Sequence, residues 1–214
     1  ITSLYQDPNG NIWVGSMGKG LFILNPATNQ QRPFHENPVF RDASILSISG
    51  KDDTLYVSSL EGSMSIGISP ENTDISKTYR FFNYDNTSTG TNYIYNIFKD
   101  SRGRTWFATD GNGLTLLQQG SFSYFTKKDN LKDDHIYSIT EDKQGHIWFS
   151  TASAGIYRYD GKKFTNYGVA EGLSDLNISV LKTDKAGNII IVHKLGLDIL
   201  NPVTGDVSYL NANQ

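Results

Sequence analysis

The order of apolar and polar positions repeats along the chain. Each copy opens on a short amphipathic stretch, such as "ITSLY" from Ile1, "IYNIF" from Ile94, "IYSIT" from Ile136 and "ISVLK" from Ile178. An Asp-x-x-Gly turn follows, as Asp7 with Gly10, Asp100 with Gly103, Asp142 with Gly145 and Asp184 with Gly187. Asp at the first position and Gly at the fourth suit a type I turn, because the Asp carboxylate hydrogen-bonds the backbone just ahead of it. The next stretch, "NIWVG", "RTWFA", "HIWFS" or "NIIIV", is apolar at consecutive positions rather than alternate ones. That pattern predicts a strand covered on both faces. A third strand follows a glycine, as in "GLFIL", "GLTLL", "GIYRY" and "GLDIL", and a fourth is more polar, as in "SFSYFT", "KFTNY" and "DVSYL".

A degraded copy starts at Ile45: Lys51, Asp52, Asp53 and Thr54 replace the turn, Tyr56 stands where other copies have Trp, and Ser63 takes the glycine slot. The first apolar residues are then Ile1, Ile45, Ile94, Ile136 and Ile178, at spacings of 44, 49, 42 and 42 residues. Repeats of this length build propellers or solenoids, and a solenoid coil is shorter and lacks a hairpin turn in every unit. One hairpin cannot bury both of its faces alone, whereas stacked copies cover each other. The pattern therefore predicts an all-β β-propeller made of five four-stranded antiparallel blades, with almost no helix. The chain reads as a single propeller over 1–214, with blades at about 1–44, 45–93, 94–135, 136–177 and 178–214. Both a closed five-bladed ring and part of a larger, seven-bladed one fit, the second favoured because both ends fall on repeat boundaries. An open arc would leave apolar blade faces in water and promote self-association.

Composition narrows the chemistry. A net charge of -3, with Lys and Arg scattered, provides no basic field for a phosphate backbone and argues against a nucleic-acid partner. The absence of cysteine removes disulfides and thiolate metal sites. No apolar run is long enough to span a bilayer, so no membrane insertion by this segment is expected, and any signal peptide would lie outside it.

Trp13, Trp106 and Trp148 share one register, twelve residues after the first Ile of their copies. Inside a doubly covered strand that register predicts structural core between blades rather than sugar-stacking platforms, with Tyr56 and Ile190 in the same slot. The Asp-x-x-Gly turns lack the Glu that closes a calcium loop; Gly18, Gly111, Ser153 and Leu195 occupy those positions. His35, His135, His146 and His193 have no metal-ligand spacing, so neither a metal nor a cofactor is expected. His146, after a turn glycine, is expected to face solvent. "KDDH", Lys132 to His135, is weighed as an acid/base cluster and read as a charged loop between blades. There is no nucleophile elbow, phosphate loop or dinucleotide fingerprint, hence no catalytic residue to assign.

The repeat "I-x-s-I-x-x-D-x-x-G-x-I-W-x-x-T-x-x-x-G-L", clearest in "IYSITEDKQGHIWFSTASAGIYRYD", resembles the two-component regulator propeller family over essentially the whole chain. The family's linker "G-L-x-x-x-x-I" appears as Gly172, Leu173 and Ile178, and more loosely as Leu131 and Ile136. The resemblance implies a periplasmic sensor region of a bacterial hybrid two-component histidine kinase, itself not an enzyme. It also implies self-association of the parent sensor and control of carbohydrate uptake, with an oligosaccharide or other small extracellular ligand as partner.

Up-and-down strands put the loops entering each first strand and those joining second to third strands on one rim. That rim collects Lys19, Glu61, Tyr93, Asp110, Asn112, His135 and Asn177 as candidate ligand-binding residues. Two rival readings remain: a propeller lyase or glycoside hydrolase, which would need His135 with Asp110 or Glu61, and a passive protein-interaction platform.

Overall fold

Alternation of strands and tight turns runs through the described residues, 1–34, 40–60, 62–68, 73–80 and 93–211, in a computed structural model of the chain. His35 and Glu61 lie outside them. The strands form five antiparallel sheets of four, in chain order, and two short 3-10 turns, Lys127–Asp129 and Val169–Glu171, accompany them. The fold is an all-β β-propeller of five four-stranded blades.

The chain divides into two compact units, Ile1–Lys99 and Asp100–Gln214. The first holds β1 (Ser3–Gln6), β2 (Ile12–Gly15), β3 (Leu21–Asn25), β4 (Gln30–Pro33), β5 (Ile45–Lys51), β6 (Thr54–Ser59), β7 (Gly62–Ile68), β8 (Thr73–Arg80) and β9 (Ile94–Lys99). Its core joins Trp13 and Phe34 of the first blade to Ile45, Ile48, Leu55 and Val57 of the second. The degraded turn is a two-residue hairpin, Lys51 pairing with Thr54 and Asp52 taking a positive φ of 55°.

The second unit holds β10 (Thr105–Thr109), β11 (Leu114–Gln118), β12 (Ser121–Phe125), β13 (Ile136–Glu141), β14 (Ile147–Thr151), β15 (Ile156–Tyr159), β16 (Phe164–Tyr167), β17 (Ile178–Thr183), β18 (Ile189–His193), β19 (Gly196–Leu200) and β20 (Val207–Asn211). Trp148 of the fourth blade packs with Ile178, Leu181, Ile189 and Ile191 of the fifth. Hydroxyls join the first strands of the two blades: Ser138 Oγ accepts from Leu181 N–H at 3.0 Å, and Thr140 and Thr183 pair at 2.9 Å.

All three tryptophans are fully buried and Tyr56 is 4 % exposed. Ile190 is half-buried, between the buried Ile189 and Ile191. Each indole is also anchored by a bond that the turn pattern alone does not suggest. Nε1–H of Trp13, Trp106 and Trp148 donates to Asp7, Asp100 and Asp142 at 2.9, 2.8 and 2.8 Å. The other oxygen of each Asp accepts two backbone N–H groups of its own turn, for Asp142 those of Gln144 and His146, both at 2.9 Å. The carboxylate therefore builds the turn and satisfies the buried indole together. His146 departs from the solvent-facing expectation: its Nδ1 lies 3.0 Å from Asp142 Oδ2 and its side chain is 28 % exposed.

Candidate functional site

The lead-in loop to β13 is fixed by its own sequence. Thr126 caps the 3-10 turn at Lys127–Asp129, and Asn130 closes it in the left-handed region at φ 70°. Leu131 and Asp133 then turn inward, each 4 % exposed, while the His135 side chain is 48 % exposed. Lys132 N–H donates to the Tyr157 hydroxyl at 2.8 Å.

The glycine that precedes each third strand is the other half of the arrangement. Gly113 has φ +71°, and a Cβ there would stand 2.0 Å from the Phe125 carbonyl oxygen. No other residue fits such an approach. Its N–H donates to Asp134 O at 2.8 Å, which seats the lead-in loop of the fourth blade on the third. On the far side Ala152 N–H, in the β14–β15 loop, donates to His135 O at 3.0 Å.

This stitching brings Asp110, on the β10–β11 loop, to His135. Asp110 Oδ1 lies 3.7 Å from His135 Nε2. Gly111, at φ +82°, lies beside Nε2; a Cβ there would stand 3.6 Å from it, an ordinary contact. Behind the ring, Asp133 Oδ1 accepts from His135 Nδ1 at 3.0 Å and from His135 N–H at 3.1 Å, and its Oδ2 accepts from the Ser153 hydroxyl at 2.7 Å. Burial works to raise the Asp133 pKa, but the bonds from Ser153 and from the backbone and ring of His135 outweigh it and hold the group down at about 2. Asp133 is thus a carboxylate, which only accepts, so His135 Nδ1 is the donor of that bond.

Of the rim residues expected from sequence, the structure joins Asp110 and His135, with Asn112 partly exposed on the same β10–β11 loop. Asn177 holds the matching lead-in position before β17, exposed, its N–H donated to Asp175 at 3.0 Å. Lys19, exposed on the β2–β3 loop, and Tyr93, 44 % exposed just before β9, belong to the first unit. Sequence reasoning misses Asp133, which reads there as part of a charged run. Its signal is a Leu-x-Asp that recurs as Leu131-x-Asp133 and Leu173-x-Asp175, 42 residues apart.

A second pairing, in the fifth blade, also escapes the sequence. His193 Nε2 lies 3.4 Å from Asp198 Oδ2, both side chains fully buried, and Asp198 accepts from Ser174 N–H and hydroxyl at 2.8 and 2.7 Å. Tyr209 covers the imidazole with ring centroids 6.0 Å apart. This pair ties the lead-in loop of its blade to β19, as Tyr157 does in the fourth blade.

The two component regulator propeller family matches residues 1–18, 89–111 and 130–153. No curated protein sequence matches the chain. Among solved structures, the extracellular domain of the hybrid two component system BT3049 from B. thetaiotaomicron superposes with a TM-score of 0.82 at 18% identity, over 97% of this chain and 28% of that one. Virginiamycin B lyase from Staphylococcus aureus gives 0.71 at 14% identity, over 100% and 70% of the two chains. PorZ, a surface component of the type-IX secretion system of Porphyromonas gingivalis, gives 0.65 at 20% identity, over 91% and 31%. The chain spans less than a third of the BT3049 domain. At such identities these likenesses establish the fold.

Proposed function

We infer, from a chain that carries two component regulator propeller repeats, that it is an extracytoplasmic ligand-sensing segment of a two-component receptor, recognising an oligosaccharide and signalling to a histidine kinase. The observation that carries this reading is the family match, which falls on the same repeats that supply the rim: residues 89–111 include Asp110, and 130–153 include His135, Asp133 and Ser153. The likeness to the extracellular domain of a hybrid two component system supports it. Among the described residues no helix is long and apolar enough to cross a membrane. Signalling requires that ligand bind one of two receptor arrangements more tightly than the other. In the full-length protein, Asp110→Asn combined with His135→Ala is expected to abolish ligand-dependent transcription of the target genes at unchanged protein level. An undiminished response would overturn the reading.

One observation favours a second reading. An imidazole backed by a buried carboxylate, with its second nitrogen facing an open rim, is the arrangement of a general base, and a propeller lyase shares the fold. Streptogramin B lyase shares the fold too, and virginiamycin B lyase has been solved with quinupristin; under that reading such an antibiotic is consumed by the chain, and His135→Ala stops the reaction without unfolding the protein. Failure of the unmodified chain to turn it over would remove the streptogramin lyase.

A further inference from the structure

Asp110 and His135 meet across the boundary between two blades, the first on the β10–β11 loop of the third and the second at the end of the lead-in loop of the fourth. The backbone beside them is pinned. Gly113 N–H donates to Asp134 O at 2.8 Å, and Ala152 N–H donates to His135 O at 3.0 Å. The two side chains keep room to move, the imidazole 48 % and the carboxylate 33 % exposed. At 3.7 Å, Nε2 and Oδ1 stand beyond a hydrogen bond, yet a small turn about the side-chain bonds of Asp110 closes the gap.

What decides whether it closes is the charge on the ring. Asp133, held down at about 2, stays a carboxylate throughout the range in which imidazoles titrate, and it accepts from Nδ1 at 3.0 Å. With that proton alone, Nε2 presents a lone pair to the Asp110 carboxylate and the two repel. With a second proton, Nε2 is a charged donor between two carboxylates, and Asp110 is drawn to it. The charged groups facing the imidazole are Asp133 from its own loop and Asp110 from the β10–β11 loop. The loop's other charges are engaged elsewhere, Asp134 accepting from Lys127 N–H at 2.7 Å and Lys132 Nζ donating to Asn166 at 2.6 Å. The β14–β15 loop brings the uncharged Ser153 and Ala152. We propose that Asp110, His135 and Asp133 form a proton-operated tie between the third and fourth blades. In acid the tie is made, and the imidazole and carboxylate that this rim holds outward are occupied with each other. As pH rises through the titration of the ring, the tie opens and its stabilisation is lost, which leaves both groups free for whatever the rim binds. Asp133 is the positioning residue, because it fixes the ring with Nε2 toward Asp110. The tie needs no ligand, so it stands or falls apart from the sensing role.

NMR titration of the 214-residue chain from about pH 8 to about pH 5 tests it, read on the His135 ring and on the amide of Gly111, which lies beside Nε2 in the third blade. The Gly111 amide is expected to shift with the same midpoint as the ring. In Asp110→Ala the ring still titrates, at a midpoint lower by about 0.2–0.4 of a pH unit, the size a half-exposed ion pair supports, while the Gly111 step fades. His135→Gln, which cannot take the second proton, is expected to remove that step altogether. In urea denaturation, the loss of stability on Asp110→Ala should be larger at the acid end of the titration than at the basic end. A Gly111 step of full size in Asp110→Ala, or a ring midpoint that the substitution leaves unmoved, overturns the tie.

Discussion

Each repeat's turn Asp is the residue on which most of its blade converges. Asp142 accepts the Trp148 indole, the His146 ring and two backbone N–H groups, and its side chain is fully buried. Removing it by Asp142→Ala strands several buried donors and is expected to cost about 2–4 kcal/mol in urea denaturation. Asp184→Ala should cost less, because Ile190 stands where an indole would and asks nothing of the carboxylate. Trp148→Ala is expected to lose roughly 3–5 kcal/mol by the same measurement, through cavity formation. Asp133 adds a pH dependence. Its folded pKa of about 2 lies below the ordinary carboxylate value, so its stabilisation is fully present above about pH 4 and is lost as pH falls from there through 2. The shift corresponds to about 2 kcal/mol. Acid titration of Asp133→Asn should show a shallower loss of stability across that window.

At the scale of elements, the strands were legible because apolar periodicity and turn chemistry agreed in nearly every copy. Of the doubly covered "HIWFS", all but His146 fell in β14, every residue of which is buried. What the pattern could not convey was partnership. Nothing in an Asp six residues before a Trp states that the two are bonded until the hairpin folds the indole back over the turn. The polar fourth strand likewise concealed the aromatic that follows or ends it: Phe34, Phe125 and Tyr167 pack on Trp13, Trp106 and Trp148 at centroid distances of 5.4, 6.2 and 5.1 Å. In the candidate site, Asp110 and His135 were legible as rim residues from strand direction alone. Their nearness depends on the Gly113 N–H bond to Asp134 O, and the role of Asp133 depends on burial, neither of which is written in spacing. Gly113→Ala tests that dependence. A positive φ and a carbonyl oxygen at 2.0 Å leave no room for a methyl group, and about 1–3 kcal/mol of backbone strain should accompany displacement of the loop. In NMR the His135 ring resonances should move while those of Trp13, in the first unit, hold still.

For the whole molecule, a repeated frame carries non-repeated loops. The lead-in position is Tyr93 in one blade, His135 in another and Asn177 in a third, while the buried residues around them follow one plan. Rim substitutions such as Asp110→Asn should therefore alter melting behaviour by no more than about 0.5 kcal/mol while changing what the protein answers to. The lead-in loop of the fourth blade adds a mechanical consequence. Neighbouring carbonyls, those of Asp134 and His135, are gripped from opposite sides, one by the blade before and one by the blade the loop leads into. A segment riveted in this way does not swing like a lid. Under the sensing role proposed above, load from a seated guest would pass straight into the seam, as a slight turn of one wedge against its neighbour.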